Sequence, residues 1–353
     1  MPQSCTECFT FSPDVLRLPA DDRKKVVDAR NKHAKDKFAE NELADKAPIT
    51  FLEEAAVLAA FFVIMGGPLV LMNTGLLCML FGSWTSVFLW VLAALFLSFH
   101  PLPDLSETLC ESWFTIALYK YFSYRFIWSD DDNEKVRTAP AWFGASPPHG
   151  VLPLANLLCI PAINNFGFRE FVGAPASVVF RTPFLRYMTM LGCVDVSGKS
   201  MTKAVNAGQC VGLVPDGIAG IFKTKEKDEV VFLKNRKGLA KLALKTGTPL
   251  LPAYSLGNTA VFGAWFDPFG IMEALSRKAQ TSVFVFWGRF YLPLPRRVNI
   301  TMVYGKPIIV EKVEDPSTEQ IDQLHAEYLQ ELEALFNRHK ASVGWGHKNI
   351  RFV

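Results

Sequence analysis

The sequence predicts an α/β domain, a mixed sheet flanked by helices, anchored to a membrane by an apolar hairpin near its N-terminus. Three observations carry this expectation. From Ala55 to Phe99 there is no Asp, Glu, Lys or Arg. Beyond Ala139, short runs of β-forming residues alternate with stretches of helical periodicity, the pattern of a sheet packed between helices. A long amphipathic helix with its own start signal follows near the C-terminus.

A spanning helix needs about 20 apolar residues to cross roughly 30 Å of hydrocarbon, and the uncharged run is about twice that. Asn73-Thr74-Gly75 interrupts it and Gly66-Gly67-Pro68 bends its first half, which predicts a hairpin of Phe51–Met72 and Gly75–Phe99. A pair of soluble core helices would show polar faces. A cleaved signal peptide would start earlier and be shorter. The mean hydropathy of +0.17 agrees with an anchored chain. A net charge of +3 and a pI of about 8.4 are too mild to argue for nucleic acid. Seven scattered cysteines, with Cys78 inside the apolar run, suit reduced thiols rather than a disulfide framework. Cys5-x-x-Cys8 has no second pair, so no metal site is predicted.

Residues 1–50 read as a polar, partly helical tail and residues 51–100 as the hairpin. In residues 101–138, Pro101-Leu102-Pro103 ends the hairpin and Glu107–Ile127 has helical periodicity. Trp113, Tyr119, Tyr121 and Trp128 place this stretch at the membrane–water interface, and Ser129–Thr138 is an acidic linker. A hairpin returns both ends to one side, so the main domain, residues 139–353, is expected to face the cytosol. Its expected strands are Ala141–Ser146, Ala176–Phe180, Cys193–Val196, Cys210–Pro215, Pro249–Tyr254, Ser282–Phe286 and Val298–Tyr304. Its expected helices are Leu152–Ile160, Pro183–Leu191, Thr202–Ala207, Arg236–Thr246 and Glu319–Lys340. In the last of these, Ser317 and Gln320 stand at capping-box spacing, with Ile321, Leu324, Tyr328, Leu332 and Leu335 on one apolar face.

Several familiar sites are excluded. There is no Gly-x-Ser-x-Gly elbow, and Cys193 stands where a phosphate loop ending in Ser197-Gly198-Lys199-Ser200 would need its first glycine. Of six histidines, His33, His100, His325, His339 and His347 read as surface residues. His149 differs. It follows a predicted strand in Ser146-Pro147-Pro148-His149-Gly150, where two prolines and a glycine build a stiff, tight loop. Such a loop can hold a general base or a structural imidazole. Asp216, in Val214-Pro215-Asp216-Gly217-Ile218-Ala219-Gly220, also follows an apolar strand and can orient a histidine or cap the next segment. Arg181, Arg186, Lys234, Arg236, Lys237 and Lys241 form either a solvated face or a set of phosphate contacts.

These blocks together resemble the type-2 diacylglycerol acyltransferase family, which includes monoacylglycerol and wax-alcohol acyltransferases. Tyr121-Phe122-Ser123 stands at the family's Tyr-Phe-Pro position, and Phe143 to Gly150 stands at its His-Pro-His-Gly block. Phe180 to Arg186 resembles its Arg-x-Pro-x-x-Arg segment, and Asn235 to Ala243 its Arg-Lys-Gly-Phe block. Pro252 to Gly257 and Gly305-Lys306-Pro307-Ile308 follow in order. Three blocks depart. Pro147 replaces the family's first histidine, Asp216 and Gly220 replace the first glycine and the glutamate of Val-Pro-Gly-Gly-x-x-Glu, and Asn258 stands where Gly-Glu is usual.

The resemblance implies a glycerolipid-acyltransferase-like domain that moves a fatty acyl group from acyl-CoA to diacylglycerol, giving triacylglycerol. His149 is the expected base, Asp216 substitutes for the missing glutamate, and transfer is direct, with no acyl-enzyme and no cofactor. The expected substrate-binding residues are Pro148, Gly150, Arg181, Arg186, Gly217, Arg236, Lys237 and Gly238. Val283 to Tyr291 reads as an acyl-chain wall, a membrane-facing surface or a plain core strand. The expected partners are acyl-CoA, a lipid alcohol and membrane lipids, with a homo-oligomer left open, at the endoplasmic reticulum membrane or a lipid-droplet surface. The alternatives are a monoacylglycerol or wax-alcohol acceptor, or an inactive lipid-binding scaffold.

Overall fold

The computed structural model describes residues 40–128, 138–165, 170–223, 228–265, 267, 269–279 and 284–353, with residues 18, 19, 22 and 25 of the tail. Most of the expected N-terminal tail, His33, Cys5 and Cys8, the acidic linker apart from Thr138, and residues 282–283 of an expected strand lie outside these residues.

Helix α1 (Phe51–Phe61) starts at a capping box, Thr50 with Glu53, and continues through one π-turn (Phe62–Gly66) into α2 (Gly67–Phe81). Helix α3 (Trp84–Phe99) returns, its first turn capped by Ser83. The reversal falls at Gly82–Ser83, not at the expected Asn73–Thr74. Asn73 Nδ2 donates to Leu69 O at 2.8 Å and Thr74 Oγ1 to Val70 O at 2.9 Å, so both polar groups are satisfied inside the helix. Phe51–Phe81 is therefore a 31-residue apolar helix, long enough to cross a membrane by length and composition. Gly75 fits against the Trp90 ring, where any side chain would collide, and Trp90 Nε1 donates to Leu71 O at 3.0 Å. The base of α1 packs into the domain through Val57 and Phe61, whereas α2 and α3 expose large apolar side chains such as Leu76, Leu80, Phe88 and Phe96.

The expected helix Glu107–Ile127 is broken. It forms α4 (Glu107–Cys110), α5 (Trp113–Tyr121) and strand β1 (Arg125–Trp128). Ser123, at φ 43°, makes the turn between α5 and β1. Of the aromatics expected at the interface, Tyr119 and Tyr121 are buried, while Trp113 is about half exposed. The segment expected to be a helix and linker thus supplies an edge strand of the main sheet.

The remaining sheet strands are β2 (Phe143–Ala145), β3 (Phe171–Gly173), β4 (Cys210–Leu213), β6 (Leu250–Leu256) and β9 (Thr301–Tyr304). Their order is β1-β9-β6-β2-β4-β3, with every neighbour parallel except β6 and β9. Strand β5 (Glu229–Val231) pairs with the terminal β10 (Ile350–Phe352), and β7 (Gly263–Ala264) with β8 (Phe286–Trp287). Expected strands Ala176–Phe180 and Cys193–Val196 are not ladders. Ser177–Phe180 is a 3-10 turn, and Cys193 makes one bridge to Gly173. Expected helix Pro183–Leu191 is a 3-10 stretch, Leu185–Met190. These short apolar runs read as strands because composition cannot separate a strand from a cavity wall.

Side chains alternate across the sheet. Trp142, Met302 and Tyr304 enter a core shared with α1, α5 and α6 (Leu154–Asn165). Phe143, Val303 and Tyr254 enter the opposite core, with α7 (Gly198–Asn206), α9 (Gly238–Thr246) and α11 (Thr318–His339). Between them lie the short α8 (Gly217–Lys223) and, later in the chain, α10 (Ile271–Ala279). Helix α11 keeps its capping box, and Leu324, Tyr328, Leu332 and Leu335 are buried as expected from their spacing.

His325 and His339, expected at the surface, are both buried in this second core. Burial first, and the Arg338 charge second, pushes the His339 imidazole down from 6.5 to about 4. The unfolded chain takes up this proton near pH 6.5 and the folded chain only near pH 4. Stability is therefore intact above the upper value and falls by about 3 kcal/mol through that window. Denaturant melts of the full chain in detergent should show this acid limb, and His339→Leu should flatten it.

Candidate active site

Strands β2 and β4 are parallel neighbours, so the loops leaving their C-terminal ends lie side by side. The first loop carries His149 and the second Asp216. The Asp216 side chain is fully buried, and its Oδ2 accepts the backbone N–H of His149 at 3.0 Å. Room for this carboxylate exists because residue 220 is glycine. A Cβ there would overlap Asp216 Oδ2. Burial raises the Asp216 carboxyl above the usual carboxylate range, and the neighbouring His149 and Arg236 charges counteract it.

The imidazole is fixed from its other side. His149 Nδ1 lies 2.9 Å from the carbonyl oxygen of Gly150. A carbonyl only accepts, so Nδ1 carries the proton and Nε2 is the basic nitrogen. Gly150 has φ 59°, and a Cβ there would press on Asn258. Asn258 Nδ2 donates to His149 O at 2.8 Å and to Pro148 O at 3.3 Å, while its Oδ1 accepts Ala155 N–H at 3.2 Å. Ser255 Oγ donates to Pro147 O and Pro148 O, each at 3.2 Å. The departure at position 258 thus grips the histidine loop, a role that sequence comparison alone reads as a loss.

His149 lines a cavity of about 1340 Å³. Arg181, Gly217 and Arg236 share that lining, with Ile64, Met65, Pro68 and Leu69 of the hairpin on another wall. Arg236 lies over the Phe232 ring, its centre 5.3 Å from the ring centroid. Pro148 and Gly150 shape the loop from behind. Arg186, Lys237 and Gly238 are outside the cavity. The Arg186 guanidinium donates to Phe180 O, Leu97 O and His100 O, tying the end of α3 to the domain. Lys237 pairs with Asp322 of α11, and Gly238 begins α9. Like charges close in sequence were thus divided between a cavity wall, a helix junction and the surface.

Several polar residues of the cavity wall were not expected from the sequence. Ser146 and Asn156 line the same cavity beside His149, and Asn156 Nδ2 donates to Ser146 Oγ at 2.5 Å. Asn156 Oδ1 is buried without a hydrogen-bond partner, an acceptor available to a ligand. An amide in the first turn of a largely apolar helix was the available signal. Behind the loop, Glu229 is buried with Lys348 at 3.2 Å and accepts hydrogen bonds from Tyr254 and Thr259. Burial raises the Glu229 carboxyl, and Lys348 opposes that rise. Among the described residues no group of three or more His, Cys, Asp or Glu side chains is placed to hold a metal ion.

With this geometry established, comparison with known proteins is decisive about family. The profile described as Diacylglycerol acyltransferase matches residues 78–351. The chain belongs to the diacylglycerol acyltransferase family and is an acyltransferase. It is 30% identical over 252 residues to "Diacylglycerol O-acyltransferase 2-like protein 6" of Bos taurus, covering 65% of this chain and 74% of that protein. It is 31% identical over 179 residues to "Acyl-CoA wax alcohol acyltransferase 2" of Homo sapiens, covering 47% and 54%. Among solved structures, it resembles the 1-acyl-sn-glycerophosphate acyltransferase of Thermotoga maritima at a TM-score of 0.40 and 13% identity, over 87% and 97% of the two chains.

Asn258→Ala should leave the His149 and Pro148 carbonyls ungripped and lower acyl transfer about 10-fold or more, with membrane association retained, as assayed in isolated membranes. Lys348→Met strands a buried Glu229 charge and should cost about 3–5 kcal/mol in denaturant unfolding, because removing one member of a buried pair leaves the other uncompensated.

Proposed function

We propose that this family member transfers a fatty acyl group from acyl-CoA to the free hydroxyl of diacylglycerol, with His149 as general base. The observation that carries the reading is one cavity that has the His149 imidazole on one wall and the apolar hairpin on another. A lipid alcohol dissolved in the bilayer enters from the hairpin side. The CoA phosphates meet Arg181 and Arg236 on the cavity wall.

The chemistry follows from the proton positions. Nε2 removes the alcohol proton as the oxygen attacks the thioester carbonyl. The C–O bond forms, the carbonyl becomes a tetrahedral oxyanion, and collapse breaks the C–S bond. The imidazolium returns the proton to the departing CoA thiolate. Through both steps Gly150 O holds Nδ1–H, and the Asp216 charge favours the imidazolium. With both arginines on the phosphates, backbone N–H groups near Gly150 and Gly217 serve the oxyanion. The cavity cysteines are poor nucleophiles, since burial pushes Cys159 and Cys193 up to about 12. Direct transfer fits this better than an acyl-enzyme. Apolar walls exclude the water that would hydrolyse acyl-CoA.

On this reading the hairpin embeds in the endoplasmic reticulum membrane or a lipid-droplet surface, with the sheet domain on the cytosolic side. An inactive lipid-binding scaffold is the competing account. His149→Ala should lower acyl-CoA-dependent triacylglycerol formation by about 10²–10⁴-fold or abolish it, with the protein still membrane-bound. Wild-type turnover by that variant, or no transfer to any lipid alcohol by the wild type, would favour the scaffold. Asp216→Asn keeps an acceptor for the His149 N–H but removes the charge, so kcat should fall with KM little changed. Unchanged kcat would take that charge out of the mechanism.

A further inference from the structure

The chain places an unusual turn at the base of the hairpin. Phe290 and Tyr291 are adjacent aromatic residues, and both have φ 58°, in the left-handed region that bulky side chains rarely adopt. Their rings receive little packing in return. Phe290 is 69% exposed, Tyr291 87% and the following Leu292 45%. The turn is nonetheless tightly held. Gly288 N–H donates to Leu292 O and Arg289 N–H to Leu294 O, each at 2.8 Å. Gly288 has no room for a side chain, since a Cβ would overlap Leu294 O. Arg289 pairs with Glu54 in the first turn of α1, and Tyr121 Oη donates to Pro295 O at 2.6 Å. A backbone fixed in a costly conformation to display apolar rings in solvent points to a use for those rings.

Position identifies the use. Pro293 lies against Gly66, where a Cβ would come within 3.5 Å of the Pro293 ring. The neighbouring residues Phe62 and Val63, past the buried Val57 and Phe61, expose large apolar side chains on the hairpin. The aromatic turn is therefore continuous with the emerging hairpin surface. It also continues the cavity wall, since Phe286 of β8 lines the cavity two residues before Gly288. The expected run Val283 to Tyr291 thus serves two purposes among its described residues. Phe284 and Phe286 face the cavity, while Val285, Phe290 and Tyr291 face outward.

We propose that the Arg289–Leu292 turn is a second membrane-contact element, a rigid wedge that inserts Phe290 and Tyr291 into the headgroup boundary of the leaflet entered by the hairpin. The Tyr291 ring, with its polar hydroxyl, favours that boundary, and the wholly apolar Phe290 ring favours the acyl side of it. The hairpin is fixed to the domain at both ends, by buried Val57 and Phe61 and by the Arg186 contacts to Leu97 and His100, so the turn and the hairpin hold one relative position. A second point of attachment, on the cavity wall itself, fixes the domain's tilt and holds the cavity against the lipid phase. This rests on the reading of the hairpin as membrane-embedded.

The test uses the full chain in phosphatidylcholine vesicles containing a radiolabelled phosphatidylcholine. The photo-crosslinking residue benzoylphenylalanine is introduced singly at Tyr291, at Leu80 in the exposed part of α2, and at exposed Glu327 on α11, on the opposite side of the sheet. After irradiation, lipid label is expected on the chains carrying the probe at positions 291 and 80, several-fold above that at position 327. Label at 80 with only the position-327 background at 291 overturns the wedge and leaves the embedded hairpin standing. Background label at both 80 and 291 overturns the hairpin reading and the wedge with it.

Discussion

The hydrogen bond from the His149 backbone N–H to the buried Asp216 carboxylate ties together the loops that follow two neighbouring parallel strands, and the candidate site depends on it. One oxygen of a fully buried carboxylate sets where the histidine loop can lie. The other loop contacts then complete the position. Asn258 and Ser255, both from β6 and its C-terminal end, hold the carbonyls of residues 147–149. Adjacent strands β4, β2 and β6 thus meet at one imidazole. A group held from three strands retains its geometry without help from solvent, as the proposed role of His149 requires.

The same contact explains a local oddity of sequence. Position 216 has a carboxylate and position 220 has none, the reverse of the pattern in the resembling family. In space the exchange is nearly neutral, since the Asp216 carboxylate occupies the room that a residue-220 side chain would take. The buried carboxylate beside the His149 loop comes from position 216, one helical turn before position 220. Of the departures read along the sequence, Asp216 and Asn258 hold the His149 loop by hydrogen bonds, and the remaining one replaces a histidine with Pro147. Its backbone carbonyl instead accepts hydrogen bonds from Ser255.

The sequence made some features legible because local chemistry alone decides them. The capping box at Ser317, the apolar face of α11, the uncharged run and the stiff loop around His149 all belong to this class. What it could not show depends on tertiary partners. Asn73 and Thr74 look like a turn until their side chains are seen to bond back within the helix. Tyr119 and Tyr121 look interfacial until α5 is seen packed beneath α1. His325 and His339 look like surface residues on a charged helix, yet they fall on its buried side. Among the basic residues only Arg181 and Arg236 line the cavity, because charge proximity in sequence says nothing about which loop folds over which.

Local strain completes the picture. Residues of the turn after β8 sit in left-handed backbone beside the hairpin, while the base of α1 is buried in the domain and its continuation is bare. The apolar hairpin and the His149 loop line one cavity from different walls, which on the proposed reading brings membrane attachment and chemistry together. The most direct measurement is a structure of the full chain in a lipid nanodisc with a non-transferable thioether analogue of acyl-CoA and diacylglycerol. The account predicts the lipid hydroxyl oxygen within about 3.2 Å of His149 Nε2, with Nδ1 still on Gly150 O. A lipid hydroxyl bound away from His149, or an imidazole turned so that Nε2 leaves the cavity, would contradict it.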